Sequence, residues 1–343
     1  MDGNYCGDSL AILWFSVKSG IGKLVESEAG FVSLTLDRAY HKMQLKRRRR
    51  RMGPFEYLEP VTILEAVSLL SKYRDKAKIL AGGTDLVHLM KQKTLRPEYV
   101  ISLGKITDLD YIRVDDDKGV SVGALTPIRS IEQSAELRPD YGLICQTAGQ
   151  MASTSIRNMA TIGGNLCNAS PAAGMAPALM VLSAMIKLVS IAGERVVSIE
   201  DFFSAPGSTI LKAEELLTEI RVPAPPAYSA GVSTQYPTAR GEEPALVAVA
   251  VLLNLDPGNR ACTEAGVVCG AVAPTPLRAL RAEAVLRGEK INIELARKAA
   301  QAAADESSPI DDIRGSAEYR REMLKVVTRD AVMRAAELAE LTI

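Results

Sequence analysis

A proline-rich segment at residues 223–226 constrains the fold most strongly, because it separates two stretches with different patterns. Its sequence, Pro-Ala-Pro-Pro, is stiff and can continue neither a helix nor a central strand. Before it, short helical and extended patterns alternate, whereas after it three strand patterns precede three helical ones. The length of 343 residues allows two domains of ordinary size. We therefore expect an α+β protein with a domain boundary near this segment.

The first 51 residues differ from the rest in charge. They carry ten basic and five acidic residues, while the remaining chain carries 31 basic and 36 acidic ones. Most of the excess is one run, Lys46 and Arg47–Arg51. Such a run can bind nucleic acid or a membrane surface, or it can be a solvated tail. Because no aromatic residue is interleaved with the arginines, we expect no nucleic-acid binding. Residues 1–51 are interpreted as an atypical extension or as a mis-assigned start before Met52.

Composition excludes several classes of protein and site. No apolar stretch approaches the ~18–20 residues of a membrane-spanning helix. The five cysteines include no C-x-x-C pair, and the two histidines, His41 and His88, lie far apart. Neither a disulfide framework nor a metal site is expected, and a reduced, cytoplasmic location fits best. We expect four cysteines to be small core residues: Cys145, Cys167, Cys262 and Cys269.

Local patterns predict most elements of the two halves. Thr62 and Glu65 have the spacing of a capping box at a helix start. Two hairpins are predicted, over residues 111–122 and 186–199. The other predicted strands are Leu216–Val222, Ser229–Tyr236, Ala245–Leu255 and Ala265–Ala273, and the C-terminal helices are predicted at about 277–286, 293–304 and 316–338.

The first candidate ligand-binding segment is a glycine turn, Ala81–Asp85. Gly82 and Gly83 follow a predicted strand, Lys78–Ala81, and Thr84 is a predicted N-cap for a helix over Asp85–Gln92. Paired glycines let a ligand approach the main chain, and the amides at a helix N-terminus favour phosphate.

A second glycine turn, Thr161–Asn165, contains Gly163 and Gly164 and is followed by further polar residues. Neither turn matches the Rossmann or P-loop glycine pattern, and each alone is most often only a turn. Two similar turns about eighty residues apart nevertheless indicate a site for the pyrophosphate and polar tail of a dinucleotide.

The two turns together resemble those of the FAD-binding medium subunit of the xanthine dehydrogenase/carbon monoxide dehydrogenase family of molybdenum hydroxylases. The resemblance runs from about Met52 to Leu338. It includes four further segments: Phe55-Glu56-Tyr57, Ile156–Ala160, Ala273–Pro276 with Arg278, and Asp312–Arg321.

The resemblance implies the architecture and the cofactor. Residues 52–225 would form a two-part FAD-binding domain of the vanillyl-alcohol-oxidase (PCMH) type, and residues 229–338 a small C-terminal α+β domain with a three-stranded sheet and helices. The pyrophosphate of FAD would lie against the amides of Gly82, Gly83, Thr84, Gly163 and Gly164. Ala81, Asp85, Thr161 and Asn165 would complete the site, and Leu217 would approach the flavin ring.

The resemblance also implies partners and a role in electron transfer. A large subunit would carry the molybdenum cofactor, and a small one two [2Fe-2S] clusters, in a heterotrimer that dimerises. Electrons would pass from the clusters through FAD to NAD or another acceptor. We expect no catalytic acid, base or nucleophile in this chain, because the cofactor carries the redox chemistry.

Two departures from the family pattern leave alternatives open. Related chains carry Asp, which contacts the flavin's polar tail, where this chain has Gly174. Some carry Lys near the ring at the position aligned with Tyr236, which can pack on the flavin or belong to a strand core. The alternatives are a scaffold subunit that has lost FAD and a stand-alone flavin-dependent reductase on the same fold.

Overall fold

The computed structural model describes residues 52–115, 118–236 and 245–343. The predicted N-terminal extension over residues 1–51 lies outside the described residues. No helix within the described ranges is both long and apolar enough to cross a bilayer.

The described part of the chain begins with a small parallel sheet and two helices. Strands β1 (Glu56–Leu58), β2 (Ala77–Leu80) and β3 (Tyr99–Ser102) pair in the order β1-β3-β2. Helix α1 (Ile63–Tyr73) follows β1, and α2 (Leu86–Gln92) follows β2. The first glycine turn therefore connects the end of a parallel strand to a helix, as predicted.

The predicted capping box is confirmed at the start of α1. The Glu65 amide donates to Thr62 Oγ1 over 3.1 Å, and the Val61 amide donates to Glu65 Oε2 over 2.8 Å. These hydrogen bonds satisfy backbone amides at the start of α1. The helix buries Val67 and Leu70 against the parallel sheet.

An antiparallel sheet of five strands forms the second part of the N-terminal half. The strands are β4 (Ile112–Asp115), β5 (Gly119–Gly123), β6 (Met185–Ser190), β7 (Gly193–Ser198) and β10 (Leu216–Val222). Their order is β4-β5-β10-β6-β7, so the two predicted hairpins flank a central strand that follows both of them in the chain. The predicted span of β10 is confirmed.

Five short helices and a minor hairpin complete this half. The helices lie between β5 and β6, and the second glycine turn begins the fourth of them. They are α3 (Ile128–Gln133), α4 (Arg138–Gly149), α5 (Thr154–Met159), α6 (Ile162–Cys167) and α7 (Ala176–Val181). The hairpin pairs β8 (Phe203–Ala205) with β9 (Ser208–Thr209).

The C-terminal half has three long strands followed by three helices. A fourth strand, of only two residues, occupies the start of the segment that the sequence predicted as helical from Leu277. The strands are β11 (Ser229–Tyr236), β12 (Val247–Leu255), β13 (Cys262–Gly270) and β14 (Leu277–Arg278), and the helices are α8 (Leu280–Leu286), α9 (Ile293–Glu306) and α10 (Ala317–Glu340).

Strand β12 is buried on both faces, which explains its continuous apolar run. Val249 and Val251 belong to the core beneath the C-terminal helices, whereas Ala250 belongs to the core of the N-terminal half. Because successive side chains point to opposite faces, the sheet packs on helices on one side and on the first half on the other. The two halves of Gly53–Ile343 consequently form one compact unit.

A buried arginine fixes the start of α10. Arg320 is 2% exposed and donates to the carbonyl oxygens of Leu246 and Ala271 and to Asp312. Burial alone would raise the pKa of Asp312, but hydrogen bonds from Arg314 and Arg320 outweigh it and hold that pKa well below its usual range.

Candidate functional site

The two glycine turns line one cleft of about 800 Å³. This volume lies in the upper range of pockets that hold cofactor-sized ligands. Every residue that the sequence assigned to the site lines it. They are Ala81, Gly82, Gly83, Thr84, Asp85, Thr161, Gly163, Gly164, Asn165 and Leu217.

At both turns, glycine has no side chain, so another segment of the backbone can pack directly against it. A β-carbon on Gly82 would overlap the carbonyl oxygen of Met159, the last residue of α5. A β-carbon on Gly163 would stand 2.7 Å from the carbonyl oxygen of Ala124, just after β5. The first turn thus packs directly on the segment that leads into the second one, which brings turns eighty residues apart to the same cleft.

The first turn offers free amides. Within the described ranges, the backbone amides of Gly82, Gly83 and Thr84 have no protein acceptor. Gly83 has a φ of +73°, a conformation that favours glycine and lets the turn open toward the cleft. An anion at this turn can therefore accept hydrogen bonds without displacing any protein acceptor.

The amides of the second turn are already engaged, which corrects the expectation that they face a ligand. Gly163 donates to the Ala124 carbonyl over 2.9 Å, and Gly164 donates to Thr161 Oγ1 over 3.1 Å. Thr161 is the N-cap of α6, so local capping accounts for its hydroxyl. What Gly163 and Gly164 provide at the cleft is a surface without side chains.

The start of α2 also differs from the prediction. Asp85, and not Thr84, is its N-cap residue, and neither side chain caps a backbone amide. Burial in the cleft wall raises the pKa of the Asp85 carboxyl, although a hydrogen bond with Thr84 opposes the shift. A negative charge at Asp85 is therefore destabilised beside the free amides.

Leu217 reaches the cleft from the central strand of the antiparallel sheet. The pairing of β10 with β6 shifts register between Leu217 and Glu219, leaving Thr218 as an extra residue. The Thr218 carbonyl accepts from the Ala124 amide over 3.0 Å, so this bulge is tied to the same residue that holds Gly163. The side chain of Leu217 is 3% exposed and presents an apolar surface.

Arg157 of α5 stabilises another wall of the cleft, which is formed by the loop that follows α4. Its guanidinium donates to the carbonyl oxygens of Met151 and Ala152 over 2.7 and 2.8 Å and to Glu132 over 2.8 Å. Ala152 has a φ of +39°, a strained conformation for a residue with a side chain. Arg157 therefore stabilises an irregular loop that lines the site.

Sequence reasoning missed the wall that the C-terminal half supplies. Gln235 of β11 and Gln150, the C-cap residue of α4, line the cleft beside the residues of the two turns. The only local signal is the alternation of β11, in which Ser233 and Gln235 share one face. Their partner is a helix distant in sequence.

Tyr236, which the sequence aligned with a ring-contacting lysine, belongs to the C-terminal core. It packs partly buried beneath α10, and its hydroxyl lies 3.4 Å from that of Tyr319. The strand-core interpretation of Tyr236 is the one that the structure supports. Gly174 does line the cleft.

Cys167 is not a core residue, unlike the other three cysteines in the described ranges. It is exposed on the cleft, whereas Cys145, Cys262 and Cys269 are buried. No group of three or more His, Cys, Asp or Glu side chains in the described part of the chain is arranged to hold a metal ion.

Four properties of the cleft fit a dinucleotide. They are free amides for the pyrophosphate, two glycine surfaces for close approach, an apolar contact at Leu217, and a buried side-chain amide of Gln235 that makes no hydrogen bond within the described chain. The cleft thus combines anion-binding and apolar surfaces along its length.

Comparison with known proteins gives the family. Residues 53–225 match the family of the FAD binding domain in molybdopterin dehydrogenase, and residues 235–335 match the CO dehydrogenase flavoprotein C-terminal domain. The chain is an FAD-binding medium subunit of the molybdenum hydroxylase family. It is therefore an oxidoreductase subunit whose cofactor is FAD, and the expected fold class is confirmed.

The similarity extends over nearly all of each relative. The carbon monoxide dehydrogenase medium chain of Afipia carboxidovorans is 35% identical over 288 residues, 84% of this chain and 99% of the relative. The glyceraldehyde dehydrogenase medium chain of Sulfolobus acidocaldarius is 33% identical over 284 residues, 82% and 98% of the two chains. The cyanide-inactivated Cu,Mo-CO dehydrogenase structure contains a chain that aligns with a TM-score of 0.80 and 34% identity, covering 84% of this chain and 99% of that one.

Proposed function

We propose that this medium subunit is the electron-transfer subunit of a multi-subunit molybdenum hydroxylase. In this proposal it assembles with a large subunit that carries the molybdenum cofactor and a small subunit with two [2Fe-2S] clusters. Electrons from those clusters reach FAD and leave to NAD or another acceptor. The heterotrimer dimerises and is cytoplasmic.

The observation that carries the proposal is the convergence of all ten sequence-assigned residues on one cleft. FAD supplies the redox chemistry when bound, and the residues of the chain bind and orient it. The free amides of Gly82, Gly83 and Thr84 would hold the pyrophosphate. Gly163 and Gly164 would give it room, Ala81, Asp85, Thr161 and Asn165 would line its polar part, and Leu217 would contact the ring.

The proposed division into domains follows from the relationship to the family. Residues 52–225 would be the FAD-binding domain and residues 229–338 the C-terminal domain, after an atypical extension over residues 1–51. The matched ranges, 53–225 and 235–335, support this division. The linker at residues 223–226 would be the junction.

The first experiment is an absorbance spectrum of the purified full chain, with the released cofactor identified by mass spectrometry. We expect flavin bands and FAD. A chain that stays colourless after incubation with FAD would favour the scaffold alternative and contradict the proposal.

A second experiment tests the role in a complex. The tagged chain, purified from its native host, should retain two partner subunits together with molybdenum and iron. A chain that purifies alone and reduces a substrate with its own FAD would instead be a stand-alone reductase.

A further inference from the structure

A buried amide in the cleft wall has no hydrogen-bond partner among the described residues. It is the side-chain Nε2 of Gln235, which is shielded from solvent and lines the cleft. Buried amide groups in folded proteins are nearly always hydrogen-bonded, because desolvating one without a partner is costly. A lone donor in the wall of a ligand-sized cleft is the arrangement expected for a group that binds the ligand.

The backbone of Gln235 is held in place by the N-terminal half. Its amide donates to Gln150 Oε1 over 2.9 Å, and Gln150 Nε2 donates to the Ser233 carbonyl over 2.9 Å. The Ser233 amide donates to Gln146 Oε1 over 3.2 Å. Because β11 is an edge strand, Gln146 of α4 and Gln150, the C-cap residue of that helix, take the place of a neighbouring strand and fix the position of β11.

Gly174 leaves the space that the Gln235 amide occupies. A β-carbon on Gly174 would stand 3.1 Å from Gln235 Nε2 and 2.7 Å from Met151 Cγ. The next residue, Met175, donates its amide to Asn165 Oδ1 over 3.3 Å. The Gln235 amide therefore lies beside the second glycine turn, where a side chain at position 174 would displace it.

We propose that Gln235 is a cofactor-binding residue whose side-chain amide donates a hydrogen bond to an acceptor oxygen of FAD beside the second glycine turn. The proposal rests on the FAD site described above. A carboxylate at position 174 would only accept hydrogen bonds and would add negative charge, whereas the amide donates and is neutral. An electron-rich oxygen of the cofactor is thus the matching partner, and the C-terminal half contributes directly to binding.

The test is an FAD titration of the full chain after removal of its flavin. Gln235→Leu keeps similar volume and removes the donor, so we expect the Kd to rise about fivefold to tenfold. Gln301→Leu, at an exposed position of α9, is the matched control and should leave the Kd unchanged. A Gln235→Leu variant within twofold of the unsubstituted chain would overturn the inference.

A second pair of variants decides the matter if Gln235→Leu fails to fold. Gly174→Asp alone should weaken FAD binding, because its side chain meets Gln235 and Met151. In a Gln235→Ala background, Gly174→Asp should raise the Kd less than it does in the unsubstituted chain, because the donor that it displaces is already absent. Tighter binding by Gly174→Asp alone would overturn the inference.

The unsubstituted chain separates this inference from the proposed function. If it binds no FAD, the proposed function fails, and the role of Gln235 fails with it. If it binds FAD and the variants match it, only the role of Gln235 fails.

Discussion

The Cα of Gly82 faces the carbonyl oxygen of Met159 so closely that a β-carbon on Gly82 would overlap that oxygen. This contact joins the first glycine turn to the segment before the second. The requirement for glycine at position 82 is therefore imposed by the protein itself, independently of any ligand.

Gly82→Ala should destabilise the chain and remove its flavin. The overlap involves two backbone segments, so we expect a loss of about 2–3 kcal/mol in the free energy of unfolding. Urea unfolding and the flavin content after desalting would measure both effects. Gly142→Ala in α4, whose β-carbon would meet nothing within 4 Å, is the control and should not destabilise. Equal flavin content and stability in both variants would contradict the packing argument.

Gly83→Val should abolish flavin retention for two reasons. The φ of +73° disfavours a side chain by about 1–2 kcal/mol, and the β-carbon would lie 3.0 Å from Leu80 Cδ1. Gly288→Val is the matched control, since Gly288 has a φ of +85° but no atom within 4 Å of its β-carbon and does not line the cleft. We expect a similar loss of stability with full flavin in the control. Full flavin content in Gly83→Val would show that this turn does not contribute to flavin binding.

Arg157→Ala should loosen the cleft wall formed by Met151 and Ala152. It removes hydrogen bonds to two carbonyl groups and an ion pair with Glu132, so we expect a loss of about 2–4 kcal/mol of stability and faster release of FAD. Stopped-flow fluorescence would follow the release. Arg129→Ala, which removes only the other ion pair of Glu132, should release FAD at the unsubstituted rate. Equal release rates in the two variants would show that Arg157 does not hold the wall.

The stability of the chain should fall in acid partly through Asp312. Its pKa is lower in the folded state than in the unfolded state because Arg314 and Arg320 outweigh the effect of burial. Stabilisation from this carboxylate is thus complete above the unfolded pKa, near 4, and disappears as the pH falls toward the folded pKa.

Thermal unfolding between pH 2 and 6 would test this. Asp312→Asn should be less stable near neutral pH and should lose less stability on acidification than the unsubstituted chain. Asp330→Asn, on the surface of α10, controls for the change in charge. An unchanged acid dependence in Asp312→Asn would show that this cluster contributes nothing to it.

The tertiary structure explains where residue-level reasoning failed. The sequence correctly identified the strand β11, and its period of two already separates the faces of Gln235 and Tyr236. Choosing the face that reaches the cleft required the position of α4, which is eighty-odd residues away. The same holds for the Gly163 amide, whose acceptor, the Ala124 carbonyl oxygen, lies just after β5 and far from Gly163 in the sequence.

The sequence by itself determined the features that depend on local interactions. The capping pair Thr62 and Glu65, the span of β10 and the positions of the two glycine turns depend mainly on neighbours within a few residues, where conformational preference dominates. The tertiary structure decided which amides remain free, that Cys167 faces the cleft, and that Gln235 enters it. Those outcomes depend on which distant backbone and side-chain groups packing brings within hydrogen-bonding distance, and no local periodicity encodes that distance.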